Sequence, residues 1–267
     1  MPDNKNEEIK SMFPMTSVKR LLKDVKDVYK EPLEGDGIYY KHDEKDFNFG
    51  YALILGPPDS IYENGYYFFK FEFPHDYPHS PPKVIFHTND GIVRFHPNFY
   101  RNGKVCLSLL NTWRGEGWTS CQTIKTILLT LCSLLTNDSL LNEPGITKYN
   151  KDFKTYHDII RFKNMSVAIA AMMRSGSGIY PSPIFDAFKP IVEKHFIENY
   201  ESNIARVNKL AKCRTKAISS TSIYSMKVSI DYEKVGAQIK EIYDNIMKKN
   251  RLEKTQESND DKQNDKN

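Results

Sequence analysis

One cysteine of this chain, Cys106, stands in a setting that suits covalent chemistry. It comes just after a turn at Gly103 and eight residues beyond Asn98, which itself follows Pro97. A thiol on a loop can attack an acyl group as a nucleophile, and a side-chain amide held nearby by a rigid turn can donate to the developing oxyanion. We therefore expect acyl-transfer chemistry at Cys106.

The neighbours of Cys106 have roles that the residues alone leave open. Asn98 either donates a hydrogen bond to an oxyanion or holds the turn through an Asx-type bond, and its position is compatible with both roles. His96 precedes Pro97, which restricts its backbone to extended geometry. We therefore expect the His96 imidazole to brace the loop rather than to transfer protons.

The other three cysteines lack this setting. The four cysteines form no CxxC or similar pair, so we expect no metal site. Cys132 falls in an apolar helical pattern and is expected to pack there, whereas Cys121 is placed in a first helical turn, where a thiol pKa falls. Cys121 is therefore an alternative nucleophile. Reduced thiols are typical of the cytoplasm and the nucleus, which we expect to be the compartment.

Charge and hydropathy argue against two classes of partner. The formal net charge is +4, and Lys and Arg are scattered among Asp and Glu, so we expect no nucleic-acid binding. The chain has no apolar run of about eighteen residues, so we expect no membrane span. The polar stretch from Met1 to Lys10 also lacks the apolar core of a signal peptide.

The elements that must position Cys106 begin with a helix predicted over residues 17–30, capped by Thr16 and ended by Pro32. Apolar residues at helical spacing predict its buried face, which consists of Val18, Leu21, Leu22, Val25 and Val28. A lysine row on another face is either an ordinary solvated surface or a partner surface. Its members are Lys19, Lys23, Lys26 and Lys30.

Four strand-like runs follow, rich in aromatic and β-branched residues and separated by turn signals. The short spacers between them favour an antiparallel meander over parallel strands joined by crossover helices. The predicted strands cover residues 38–42, 47–55, 66–73 and 83–88.

The second half of the chain has mainly helical patterns. A long irregular stretch over residues 89–118 contains Cys106, and a loop of this length is uncommon unless it is functional. Helices are predicted over 120–135, where Thr119 and Gln122 have the spacing of a capping box, and over 152–173. Residues 175–183 are typical of a hinge, and apolar patterns beyond it predict three further helices, around residues 185–196, 204–210 and 235–246.

These patterns divide the chain into four parts. Residues 1–15 are a flexible N-terminus, 16–173 are the main domain, and 174–250 are a helical C-terminal extension. Residues 251–267 are predicted to be disordered, because Leu252 is their only large apolar residue.

The main domain carries a series of short motifs rich in Pro, Gly and aromatic residues. They are Gly56-Pro57-Pro58, Tyr62-Glu63-Asn64-Gly65, Phe73-Pro74-His75-Asp76-Tyr77-Pro78, Pro81-Pro82, His96-Pro97-Asn98, Gly103-Lys104-Val105-Cys106-Leu107 and Trp118. In order and spacing this series resembles the catalytic domain of ubiquitin-conjugating enzymes across residues 16–173. The resemblance implies the α+β fold of that family, with a four-stranded antiparallel sheet, an N-terminal helix and C-terminal helices, followed here by a helical extension.

Three features are similar to the Z-type subgroup of the family. Ser108 stands where most members carry aspartate. A short insertion between Thr112 and Trp118 gives two tryptophans where most members have one, and Asn142-Glu143-Pro144-Gly145 follows the second helix. A helical C-terminal extension is also typical of that subgroup.

The resemblance implies a catalytic cycle without a cofactor, because the activating enzyme consumes the ATP. That enzyme passes ubiquitin or a ubiquitin-like protein to Cys106 as a thioester, which a lysine of a substrate protein or a cysteine of a ligase then attacks. Asn98 matches the family's asparagine, which stabilises the oxyanion or supports the loop. Glu143 falls near the acidic residue that orients the incoming lysine, whereas Ser108 cannot replace a carboxylate electrostatically.

The resemblance also implies partner surfaces. The basic helix with Lys19 and Lys23 resembles the docking helix for the activating enzyme. His79 and Ser120 stand at positions that usually touch ligases and the activating enzyme, but both differ in type from the usual residue. The modifier, the ligases and the chain linkage stay open.

Two other functions compete with this interpretation. A non-catalytic ubiquitin-binding module on the same fold is one alternative, but such variants typically lack the cysteine. A thiol hydrolase is the other, and it would need a general base against Cys106, which the sequence does not offer. We therefore expect a ubiquitin-conjugating enzyme.

Overall fold

A four-stranded antiparallel sheet lies at the centre of the structure. The structure is a computed structural model that describes residues 14–174, 180–182, 184–213 and 216–264, with side chains to residue 253. The strands are β1 (Ile38–His42), β2 (Phe49–Leu55), β3 (Tyr66–Glu72) and β4 (Lys83–Phe86), in the order β1-β2-β3-β4. Each strand pairs with the next along the chain, which confirms the predicted meander.

Three strands are shorter than the sequence predicts: β3 by one residue, and β2 and β4 by two each. Local hydrogen bonds end β2 and β4. The Phe49 N–H donates to the Asp46 carbonyl, which closes a turn over residues that were assigned to β2. Beyond β4, the Thr88 hydroxyl donates to the Tyr66 carbonyl and accepts from the Phe68 N–H. The Thr88 side chain thus replaces a backbone partner of the sheet, and the residue is fully buried.

The first helix, α1, spans Met15–Lys30 and therefore begins before the predicted cap. Thr16 lies within the helix, so its assignment as the cap is wrong. Pro14 precedes the first turn, and its carbonyl accepts from the N–H groups of Ser17 and Val18. No side chain caps this end of α1.

The buried face of α1 also differs from the prediction at two positions. Leu21, Val25 and Val28 are buried, but Val18 is only half-buried and Leu22 is 52% exposed. Asp24 is buried instead, because its carboxylate accepts from the Arg20 guanidinium and from the Tyr77 hydroxyl. A charged group that is paired in this way is tolerated on the core side of a helix.

The second helix, α2, spans Ile124–Ser133 and is shorter than predicted. Its capping box is formed by Thr123 and Thr126, not by Thr119 and Gln122. The Gln122 side chain does accept from the Thr119 N–H, but this turn precedes the helix. Cys121 is exposed and also lies before α2, so its predicted place in a first helical turn is wrong.

The third helix, α3, spans Phe153–Lys163 and continues as a wider π-helical segment over Asn164–Ala171. The Asn164 side chain accepts from the Tyr67 hydroxyl and donates to the Glu63 carbonyl. These bonds tie the helix to the turn between β2 and β3.

The C-terminal extension contains α4 (Ile184–Glu198), α5 (Tyr200–Cys213), β5 (Ala217–Thr221), β6 (Met226–Ile230) and α6 (Tyr232–Asn264). The β5–β6 hairpin corrects the prediction of a wholly helical extension. Its signal is the alternation of buried Met226, Val228 and Ile230 with exposed residues, a period of two. Of the predicted hinge, residues 175–179 and 183 lie outside the described residues.

The last helix departs from the predicted disorder of residues 251–267, because α6 continues to Asn264. An ion pair between Lys249 and Glu253, four residues apart, supports the helix where the tail begins. Residues 265–267, like residues 1–13 of the predicted flexible N-terminus, lie outside the described part.

The extension packs on the main domain and shares its core. Phe185 and Phe188 of α4 contact Phe68 of β3, with ring centroids 5.7 and 6.3 Å apart. The Arg206 guanidinium of α5 donates to the Glu63 carboxylate at 2.8 Å. One cluster of buried apolar side chains therefore includes both predicted parts of the chain. Among the described residues, no helix is both long enough and apolar enough to cross a membrane.

Candidate functional site

The loop that carries the candidate nucleophile is fixed at its start by a buried ion pair. Asp90 accepts hydrogen bonds from the N–H groups of Ile92 and Val93, and its other carboxylate oxygen lies 2.6 Å from the Lys163 ammonium of α3. The loop then enters the core through buried Val93 and Phe95. His96-Pro97-Asn98 therefore begins from a fixed point.

Asn98 and Cys106 are joined by two hydrogen bonds. The Asn98 side-chain amide donates to the Cys106 carbonyl at 2.5 Å, and the Cys106 N–H donates to the Asn98 carbonyl at 2.9 Å. The amide oxygen Oδ1 of Asn98 is buried without a hydrogen-bond partner among the described residues. The geometry shows Asn98 supporting the loop directly, and its amide nitrogen lies beside the residue that bears the thiol.

His96 is fully buried beneath this pair. Its Nδ1 accepts from the Asn98 N–H at 3.0 Å, so the neutral ring carries its proton on Nε2. Desolvation, assisted by the Arg94 charge, lowers the pKa of His96 to about 3. The imidazole is therefore neutral near pH 7 and holds the turn at Asn98, and its Nδ1 is not available as a base for the thiol.

The thiol of Cys106 is covered by the inserted segment. Cys106 is only 3% exposed, and its Sγ donates to the Thr112 carbonyl at 2.7 Å. The Thr112 hydroxyl in turn accepts from the Leu107 N–H and contacts the Val105 carbonyl. Because the thiol is buried, we expect that an acyl group can reach Sγ only when its neighbours, Thr112 among them, move.

Ser108 packs against the same insertion. It begins a short 3₁₀ turn over Ser108–Leu110, and the Gly115 backbone lies so close that a Cβ there would be 3.0 Å from the Ser108 Cβ. Gly115 also has φ +135°, which side chains with a Cβ rarely adopt. The serine therefore occupies a packed position beside the covering segment.

Glu143 directly follows a residue that lies beside the loop. The Glu143 carboxylate itself is bound by a residue of the extension. The amide nitrogen of the preceding residue, Asn142, is 3.4 Å from His96 Nε2. The Glu143 carboxylate accepts from the Tyr224 hydroxyl at 2.5 Å. Tyr224 lies in the turn between β5 and β6, so a residue from the extension contacts the predicted acidic residue.

Two residues of this site were missed by the sequence analysis. In the sequence Thr112 marks only the start of the insertion, and its contact with the thiol depends on how that insertion folds. The sequence signal of Tyr224 is weak: it is an aromatic residue that precedes a single run of alternating apolar residues, in β6. Both act through tertiary contacts that residue type and spacing do not reveal.

The predicted partner residues lie on a different part of the surface. Lys19, Lys23, His79 and Ser120 are all exposed. Arg20 of α1 donates to the Ser120 carbonyl at 2.5 Å, and the Trp118 indole donates to the Pro78 carbonyl at 2.7 Å. These contacts place α1 and the segments around His79 and Ser120 beside one another.

The arrangement can carry out acyl transfer at one thiol. The described cysteines are free, and Cys106 is the one in contact with a fixed amide. In the part of the chain that the structure describes, no group of three or more His, Cys, Asp or Glu side chains could hold a metal ion.

Comparisons with known proteins agree with this arrangement. A family described as ubiquitin-conjugating enzyme matches residues 20–164. The chain is similar to ubiquitin-conjugating enzyme E2 Z of Xenopus tropicalis, with 40% identity over 187 residues that cover 69% of this chain and 58% of the relative. It is equally similar to the E2 Z of Homo sapiens, with 40% identity over 185 residues that cover 68% of this chain and 50% of the relative.

A more distant relative is far larger. The dual E2 ubiquitin-conjugating enzyme/E3 ubiquitin-protein ligase of Homo sapiens is 35% identical over 188 residues, which cover 66% of this chain but 4% of that protein. The chain spans 58% and 50% of the length of the two E2 Z relatives.

Proposed function

This chain belongs to the family of ubiquitin-conjugating enzymes, and we propose that it carries ubiquitin or a ubiquitin-like modifier as a thioester on Cys106. The observation that supports the proposal most strongly is the pair of hydrogen bonds that fixes the Asn98 amide against Cys106. The similarity to E2 Z proteins agrees with it.

The proposed reaction has two acyl-transfer steps. In the first, the Cys106 thiolate attacks the thioester between the modifier and the activating enzyme, a new C–S bond forms, and the activating enzyme's thiolate leaves. In the second, a lysine amine or a ligase thiolate attacks the carbonyl carbon and expels the Cys106 thiolate. With an amine, the nitrogen gives up a proton to the solvent and an isopeptide bond remains. ATP is consumed only by the activating enzyme, so this chain needs no cofactor.

The residues around the thiol have separate roles in these two steps. Asn98 supports the loop in the resting state and donates its amide to the oxyanion when the carbonyl is attacked. His96 keeps that loop in place as a neutral ring. Glu143 supplies the carboxylate for the incoming lysine, because Ser108 has no charge to offer.

The partner surfaces follow from the resemblance to the family, and the exposure and charge of these residues support them. The exposed lysines of α1, including Lys19 and Lys23, form the docking surface for the activating enzyme. The neighbouring positions His79 and Ser120 contact ligases or the activating enzyme. Substrate proteins approach the thioester itself. The free thiols fit a cytoplasmic or nuclear compartment, where thiols stay reduced.

A charging assay tests the proposal. The full chain is incubated with ubiquitin, ATP and an activating enzyme, and the products are run on gels with and without reductant. We expect an adduct that reductant removes, that is absent in Cys106→Ala and that becomes a reductant-stable ester in Cys106→Ser. Cys121→Ala is the matched control and should charge like the wild type.

One observation favours a second candidate, a ubiquitin-binding module that is never charged. The Cys106 thiol is buried and hydrogen-bonded to Thr112. Normal charging of Cys106→Ala, or no charging of the wild type by any ubiquitin-type activating enzyme, would contradict the proposed activity. Binding of free ubiquitin without an adduct would then support the second candidate.

A further inference from the structure

Tyr224 joins the C-terminal extension to three segments around the candidate site. Its hydroxyl donates to the Glu143 carboxylate at 2.5 Å. Its ring lies 4.4 Å from the guanidinium carbon of Arg94, and its carbonyl accepts from the Arg101 guanidinium. The extension thus contacts both the loop of Cys106 and the predicted acidic residue through one residue.

These contacts continue to the reacting residue. The Arg94 Nε donates to the Pro97 carbonyl at 3.0 Å, while the guanidinium stacks on the Tyr100 ring at 3.7 Å. Pro97 directly precedes Asn98, whose amide holds the Cys106 carbonyl. An unbroken series of contacts and chain neighbours therefore leads from Tyr224 to Cys106.

The turn that presents Tyr224 is strained and anchored. Tyr224 and Ser225 have φ values of 57° and 47°, in the left-handed region that residues other than glycine seldom adopt. The Asp152 carboxylate holds the turn by accepting from the Ser222 hydroxyl at 2.7 Å and from the Ile223 N–H at 2.8 Å. Backbone strain of this kind persists where the surroundings impose it, and it is frequent at functional sites.

The Tyr224 hydroxyl keeps its proton and can therefore donate a hydrogen bond at neutral pH. Burial, and then the hydrogen bond to Glu143, raise the pKa of Tyr224 above its ordinary value of 10.0. The phenol therefore remains protonated at neutral pH. It donates to one oxygen of the Glu143 carboxylate, Oε2.

We propose that Tyr224 is a positioning residue for the acceptor lysine, acting through Glu143. By holding Oε2, it directs Oε1 of Glu143 toward the amine that attacks the thioester on Cys106. The extension would then complete the acceptor side of the site as well as packing on the sheet. This inference rests on the proposed function, because it requires a thioester that an amine attacks.

The test compares two small nucleophiles with the charged full-length protein. Free lysine carries an ammonium group that a carboxylate attracts, whereas hydroxylamine is neutral near pH 7. In Tyr224→Phe the ring stays on Arg94 and only the bond to Glu143 is lost. We expect the lysine concentration for half-maximal discharge to rise by roughly fivefold, since a hydrogen bond to a charged group is lost. Charging and discharge to hydroxylamine should stay at the wild-type rate.

A matched control and a double variant separate positioning from stability. Tyr180→Phe removes another tyrosine–carboxylate bond of the extension, the one to Asp186, and should change no rate. In a Glu143→Gln background, Tyr224→Phe should add no further loss, because its partner carboxylate is already gone.

The outcomes distinguish this inference from the proposed function. Equal losses with lysine and hydroxylamine, a wild-type lysine profile for Tyr224→Phe, or additive losses with Glu143→Gln would each overturn the role of Tyr224. Those results would leave charging of Cys106 intact. A wild-type chain that cannot be charged would overturn the proposed function and this inference with it.

Discussion

The thiol of Cys106 donates a hydrogen bond to the carbonyl of Thr112, six residues further along the chain. The candidate nucleophile and the segment beside it therefore belong to one continuous loop. Since the thiol is buried and paired, we expect its reactions to require movement of this segment. The covering segment contains exposed Trp113 and ends at buried Trp118, so one of its ends is fixed.

The rate of alkylation should show how far Cys106 is protected from solvent. We expect iodoacetamide to modify the exposed Cys121 and Cys213 first. Cys106 should react about tenfold more slowly, because breaking a buried hydrogen bond costs about 1–3 kcal/mol. Thr112→Val removes the hydroxyl that pairs with the Leu107 N–H and should speed the modification of Cys106. Peptide mass spectrometry over time measures each rate. If Cys106 reacted first in the wild type, the cover would be contradicted.

Replacing Asn98 should affect the second step more than the first. Asn98→Ala leaves the Cys106 carbonyl without its partner and removes the proposed oxyanion donor. Loss of such a donor costs on the order of 100-fold to 1000-fold in acyl-transfer sites. We expect charging to slow several-fold at most and discharge to free lysine to slow much more. Single-turnover assays measure both rates. Equal slowing of the two steps would leave Asn98 with loop support alone.

Burial of His96 predicts a pH dependence of stability. Desolvation holds its pKa at about 3 in the folded protein, below the ordinary value of 6.5, so the unfolded chain binds the proton more readily between these values. The free energy of unfolding should therefore be full above pH 6.5 and should fall as the pH drops, by up to about 1.4 kcal/mol per pH unit from this group. Below about pH 3 this contribution levels off.

The matching variant is His96→Asn, which keeps an acceptor for the Asn98 N–H but cannot titrate. Urea unfolding at several pH values from neutral to acidic would give the slope of the free energy of unfolding against pH for the wild type and for the variant. We expect a shallower slope for the variant over this window. Identical slopes would show that His96 is not buried as a neutral ring.

The contact between α4 and the sheet predicts that the extension unfolds with the main domain. Phe188 is fully buried against Phe68, so Phe188→Ala should lower the free energy of unfolding by about 3–5 kcal/mol. Ile218→Ala is the control within the extension, because Ile218 is 67% exposed and should contribute little. Chemical denaturation followed by circular dichroism and fluorescence should show one transition. Two separate transitions would indicate independent folding units.

The secondary structure was predictable where the signal is local. Runs rich in aromatic and β-branched residues, separated by short turns, predicted all four strands of the sheet, and apolar spacing predicted α3 and α4. The ends of the strands and helices were less predictable, because they depend on particular hydrogen bonds such as those of Thr88. The β5–β6 hairpin was missed because its first strand is mostly small and polar, so only β6 carries an alternating pattern.

The amino-acid sequence by itself determined the candidate nucleophile and its loop. Cys106, Asn98 and His96 lie within eleven residues, and the Pro and Gly residues among them restrict the backbone locally. Motif order then determined the family. Such signals do not depend on the rest of the fold.

Only the tertiary structure decided what reaches that loop. Tyr224 and Glu143 are 81 residues apart, and they meet because Asp152 anchors the β5–β6 turn beside the loop. The cover over the thiol depends in the same way on how the insertion packs against Ser108. Contacts of this kind follow from the packing of separate elements, and neither periodicity nor residue type along the chain records that packing.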